Sequence, residues 1–126
     1  MTPAEDARLL LRLVECHLGS LRGTLDRAVF VDEDWGFLAQ QTLEKPLKAL
    51  LVIHNQEPPR SHSLQRLLQE LEACGESVQL APELLELDDV AVLARYDAAP
   101  TPLPAERGRL LQLLEDVQAD LQRRLP

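Results

Sequence analysis

The chain has 126 residues, 45% of them hydrophobic and 27% charged, with a formal net charge of −8 and an isoelectric point near 4.8. That length fits one domain, residues 1–126, with enough chain to build a core without disulfide or metal staples. The acidic balance excludes bulk attraction to nucleic acid or to an anionic membrane surface.

Twenty-eight residues are leucine, while Phe, Trp and Tyr together number four. Leucine dominance with few aromatic and β-branched residues favours helix over sheet. No apolar run is long enough to span a bilayer. The N-terminus sets acids before a short apolar run, which is not a secretory pattern. Cys16 and Cys74 lack a CxxC spacing and read as reduced thiols. A cytoplasmic location is therefore expected.

In chain order, Pro3 with Glu5 and Asp6 suits the first turn of a helix over Ala4–Arg27. Leu10, Leu13, Val14, His17, Leu21 and Leu25 form its apolar stripe. Leu9, Leu10 and Leu11 with Leu18 offer a second stripe suited to self-association. Gly19 and Gly23 each cost a helix about 1 kcal/mol against alanine unless a neighbouring helix packs closely there. The break VFVDEDWGF supplies Asp32 or Asp34 as a cap for a second helix, Trp35–Asn55. Leu38, Ala39, Leu43, Leu47, Leu50 and Leu51 point inward along it. Pro46 interrupts this helix, but the apolar stripe continues, so a single bent helix is expected.

QEPPRSHS ends the second helix, and Ser61 or Ser63 caps a third over Leu64–Cys74, closed by Gly75. A fourth runs Pro82–Ala94. The proline-rich stretch RYDAAPTPLPAERG leads to a last helix, Ala105–Arg124, with Leu110, Leu111, Leu114, Val117 and Leu121 inward. The fold class expected is all-α, an up-and-down four-helix bundle with an additional short helix.

Chemical signatures are sparse. Phosphate-binding glycine loops, zinc patterns and nucleophile elbows are absent from the sequence. His17, His54 and His62 come from three separate segments without chelating spacing, so neither a metal nor a cofactor is expected. Arg12 and His17 lie about 140° apart around a helix and make a poor catalytic pair. No catalytic residue is assigned.

Glu44 and Lys48 form a favourable i,i+4 pair. They are either part of a solvated face, or Lys48 joins Arg60 and His62 in a small anion patch at the start of helix three. Arg95 and Tyr96 complete that candidate nucleotide-binding set, Tyr96 stacking on a base. Phe30, Trp35 and Phe37 crowd one junction. They are either the aromatic end of the core or, with Leu10 and Leu18, a partner-facing interface.

The stretch AQQTLEKPLKALLV, then PPRSHSLQRLL, then LDDVAVLARYD resembles the HEPN domain (higher eukaryotes and prokaryotes nucleotide-binding). The matching positions are Gln40, Glu44, Lys45, Lys48, Ala49, Leu50 and Leu51. They continue with His62, Leu64, Leu67 and Leu68, and with Ala94, Arg95 and Tyr96. The resemblance implies a four-to-five-helix bundle that is usually dimeric and often binds a minimal nucleotidyltransferase encoded beside it, as a toxin–antitoxin pair. Ribonuclease members carry a late R-x4–6-H. Here no histidine follows Arg95, and Pro46 and Asp97 replace the family's usual Ala and Pro. The expectation is a non-catalytic bundle that dimerises and binds a protein partner. Nucleotide binding is the alternative, and a ribonuclease toxin ranks third.

Overall fold

A computed structural model describes residues 2–26, 28–95 and 102–125, with 92–95 described by backbone alone. Among these residues the structure is all-helical: α1 (Pro3–Gly23), α2 (Asp32–Ile53), α3 (Leu64–Ala73), α4 (Pro82–Leu85), α5 (Leu87–Arg95) and α6 (Arg107–Arg124). The expected helical bundle is present, and the segment read as one fourth helix is divided at Glu86 into α4 and α5.

Local chemistry explains most boundaries. Thr2 and Glu5 form a reciprocal capping box at the start of α1, with Pro3 just inside it. This helix stops at Gly23, short of the expected Arg27, because Thr24 takes its last carbonyls. The Thr24 hydroxyl donates to Ser20 O at 2.6 Å and its N–H to Leu21 O at 3.3 Å. Helix α2 begins at Asp32 rather than Trp35, placing Asp32, Glu33 and Asp34 where the helix dipole favours negative charge.

Helices α2 and α3 both end in six-to-one closures. Gln56 N–H donates to Leu51 O at 3.0 Å around Asn55 (φ 57°), and Glu76 N–H donates to Leu71 O at 2.9 Å around Gly75 (φ 90°).

Helix α2 is the hub, packing against α1, α3, α5 and α6. Trp35, Ala39, Leu43, Leu47, Leu50 and Leu51 along it are buried, and so are Gln40, Thr42, Glu44 and Pro46 on its other sides. A proline inside a helix costs about 3 kcal/mol, yet α2 runs through Pro46 without a break. Burial of the helix on nearly every side offsets that loss.

Helix α1 buries Val14 and Leu21 as expected, but its inward face is shifted round the helix from the expected stripe. Its buried residues are Ala7, Val14, Leu18 and Leu21, while Leu13 and Leu25 are 41% and 43% exposed. With leucine at three successive positions, several helix phases could bury an apolar stripe. The adopted phase leaves Arg8, Arg12, Glu15 and Arg22 in solvent. Leu18, a candidate interface residue, is consequently part of the core at 2% exposure. Trp35 is fully buried, and its indole N–H donates to Leu21 O at 3.3 Å. It anchors the core and presents no surface to a partner. Phe30 packs partly buried against the same core, while Phe37 and Leu10 are half-buried.

Candidate functional site

The polar cluster expected on the surface of α2 is built around a buried carboxylate. Gln40, Glu44 and Lys48 follow one another at four-residue steps along α2, so they share a face. Glu44 is 3% exposed. Its Oε1 accepts from Lys48 Nζ at 2.6 Å and contacts His62 Nδ1 at 2.9 Å, while its Oε2 accepts from Gln41 Nε2 at 3.1 Å. Gln40 Nε2 donates to His62 O at 2.7 Å and to Asp88 Oδ1 at 3.1 Å. Asp88 Oδ2 in turn accepts from Leu64 N–H at 2.9 Å. One network thereby fastens α2 to the PPRSHS bend, the start of α3 and the start of α5.

The electrostatics follow from these contacts. Burial alone would raise the Glu44 pKa, but hydrogen bonds and charge from Lys48 and His62 prevail and hold it below the usual carboxylate range. Asp88 goes the other way. Its burial outweighs the bonds from Gln40 and the α3 backbone and raises its pKa. Burial also lowers the Lys45 pKa.

A cleft of about 490 Å³ lies over this network, lined by Gln40, Ser61, His62, Ser63, Gln65, Asp88, Asp89 and Ala91. Its serines are occupied locally. Ser61 Oγ accepts from Ser63 N–H at 3.1 Å, and Ser63 Oγ caps α3 through Arg66 N–H at 3.3 Å.

Of the candidate nucleotide-binding residues, the structure brings Lys48 and His62 together, but on Glu44. The first N–H of α3, which that reading offers to a phosphate, already points at Asp88. Arg60 sits exposed in the bend. Arg95 ends α5, its side chain lies outside the described residues, and Tyr96 lies outside them altogether. His17 is half-buried, with its pKa lowered by burial and by the charge of Lys45, and Arg12 is exposed. Among the described residues no group of three or more His, Cys, Asp and Glu is arranged to hold a metal ion.

Two polar assemblies escaped the sequence reading. Arg107, in the first turn of α6, is only 6% exposed. It donates to Thr24 O at 2.6 Å, to Phe30 O, and to Asp32 Oδ1 at 2.8 Å, while its guanidinium lies over the Trp35 ring. A basic residue at a helix N-terminus opposes the dipole, and that anomaly was the available signal. Glu76 joins His54 (2.9 Å) to Arg124 (3.1 Å), tying the end of α2 to the end of α6. Nothing local marks Glu76, because its partners are distant in sequence.

The Glu44–His62 contact joins the first two stretches that carry the family resemblance. The HEPN domain profile matches residues 32–122, well over half of the chain. No curated protein and no solved structure matches significantly. With the profile spanning α2 to α6, the chain belongs to the HEPN domain family.

Proposed function

We propose that this protein is a non-catalytic HEPN bundle that dimerises and docks on a protein partner. A minimal nucleotidyltransferase is the partner class the family supplies, in a toxin–antitoxin-like pair. One observation carries the reading. Every large hydrophobic side chain left exposed among the described residues lies between Leu9 and Val31: Leu9, Leu13, Leu25, Val29 and Val31, at 41% to 68% exposure. Scattered exposed leucines need no explanation, but a set confined to one helix and its following turn is the composition of an interaction surface.

Two further features support it. At the family's polar positions Lys48 and His62 both bond to Glu44, and no histidine follows Arg95 to complete the ribonuclease pair. The net charge of −8 would steer encounter with a basic partner.

Light scattering on the purified chain, alone and mixed with the product of the adjacent gene, expected to be a minimal nucleotidyltransferase, tests the proposal. A dimer that forms a stable mixed complex, weakened by Val29→Glu or Val31→Glu, is the expected result. A monomer that ignores its neighbour, or RNA cleavage by the purified chain, would overturn it.

A further inference from the structure

We infer that two copies of this chain pair through the outer face of α1, running antiparallel, with the two Cys16 residues meeting at the two-fold axis. The inference rests on the homodimer half of the proposed function and supplies its geometry. Helix α1 precedes the stretch matched by the family profile, so the pairing is argued from this chain alone.

Opposite the buried stripe of Ala7, Val14, Leu18 and Leu21 runs a second one: Leu9, Leu13, Cys16, Ser20 and Gly23. All five residues are exposed. Their spacing alternates four and three residues, the seam of a helix that packs along another helix. The seam is polarised by size, with large leucines in its first half and small residues in its second. A Cβ built at Gly19 or Gly23 meets nothing within 4 Å, so the monomer leaves that half open.

This polarity selects both occupant and orientation. In a parallel pair leucine would meet leucine and glycine would meet glycine, crowding one end and leaving a gap at the other. In an antiparallel pair centred on Cys16, Leu9 lies over Gly23 of the second copy and Leu13 over Gly19, with Ser20 beside it. Every large side chain then faces a small one, and the surface is complementary to itself, as a two-fold interface requires.

Charge agrees. The acids Glu5 and Asp6 occupy the first turn of α1 and Arg22 the last. Antiparallel pairing opposes the two helix dipoles, while Arg22 pairs with Glu115 of its own copy at 3.1 Å. Across α1, Glu5, Asp6 and Glu15 balance Arg8, Arg12 and Arg22, on a chain whose total is −8. This helix therefore meets its own copy without the repulsion that the rest of the surface carries.

The test combines mass with crosslinking on the full chain. Light scattering under reducing conditions should report a dimer. In a Cys74→Ser background, a short bismaleimide should join two copies, and Cys16→Ser should abolish the link. For orientation, both cysteines are replaced by serine. Leu9→Cys with Gly23→Cys should then crosslink between copies, whereas Leu9→Cys alone should not. Gly23→Leu enters open space in the monomer, so it should keep the thermal unfolding profile while weakening the dimer at least tenfold or so.

Each contrary outcome has its own meaning. A dimer that gives no Cys16 link and tolerates Gly23→Leu overturns this pairing and leaves dimerisation standing. Crosslinking through Leu9→Cys alone overturns the orientation. A monomer at every concentration overturns the homodimer itself, while mixing with the product of the adjacent gene still decides partner docking separately.

Discussion

The guanidinium of Arg107 lies 5.5 Å from the centre of the Trp35 ring. The same group donates to the carbonyls of Thr24 and Phe30 and to the Asp32 carboxylate. Arg107 thus holds the turn between α1 and α2 against the start of α6, with one buried nitrogen, Nε, left without a partner among the described residues. Removing one member of a buried ion pair leaves the other uncompensated, so Arg107→Ala should lower stability by about 3 kcal/mol. Arg107→Lys keeps the charge but not the planar fork, and should recover only part of that. Urea unfolding checks both. A loss within about 0.5 kcal/mol, the range of ordinary surface changes, would mean that the turn is held by something else.

Glu44 makes a prediction about pH. Its folded pKa lies below the ordinary value of 4.5. The unfolded state therefore binds the proton first, and the stabilisation is present above about pH 4.5 and lost as pH falls through the folded value. Glu44→Gln keeps hydrogen-bonding capacity but not the charge, and should cost about 1–2 kcal/mol at pH 7. The difference between variant and parent should shrink toward pH 3. Glu76 shifts in the same direction, and the raised pKa of Asp88 acts in the opposite one. The acid slope should therefore flatten in the variant without vanishing. Unfolding curves at pH 7, 5 and 3 would expose a difference that does not depend on pH, which would refute the assignment.

What the sequence made legible was mostly local. Pro58 and Pro59 announced the end of α2, Ser63 and Gly75 bounded α3, and the four-residue step from Glu44 to Lys48 fixed an ion pair that the structure contains. Burial was harder to read. Glu44 looks solvated on the helix pattern, because nothing nearby shows that His62, from a segment 18 residues onward, will fold over it. Trp35 looked equally suited to core or partner for a related reason. Periodicity places a residue on a face of its own helix but does not say what covers that face. In α1, leucines on several sides left the helix phase open, and tertiary packing chose it.

The same contacts set an expectation for nucleotides. Lys48 and His62 are bonded to a buried carboxylate, and Asp88 sits at the start of α3 where a phosphate would go. A phosphate would have to displace that carboxylate and compete with Glu44 for both cations. ATP should therefore give no saturable heat in calorimetry below about millimolar concentration. Saturable binding in the micromolar range, lost in both Lys48→Ala and Arg60→Ala, would reverse this and put a nucleotide at the cleft.

Gly36 and Gly19 are both helical glycines, and their surroundings predict opposite effects of one methyl group. A Cβ at Gly36 would come within 2.5 Å of Val90 Cγ1 and 3.0 Å of Leu103 Cδ2. That contact lets α5 approach α2, so Gly36→Ala should cost about 1–3 kcal/mol through overpacking. At Gly19 the same atom meets nothing, and alanine should gain up to about 1 kcal/mol from helix propensity. Urea unfolding of both variants, read under conditions that keep the chain monomeric, provides the comparison. Val90→Ala removes the atom that the new methyl strikes. The double variant Gly36→Ala/Val90→Ala should therefore be more stable than the sum of its single losses, by about 1 kcal/mol of coupling. Strict additivity would mean that the backbone, rather than the Val90 side chain, sets the distance between α2 and α5.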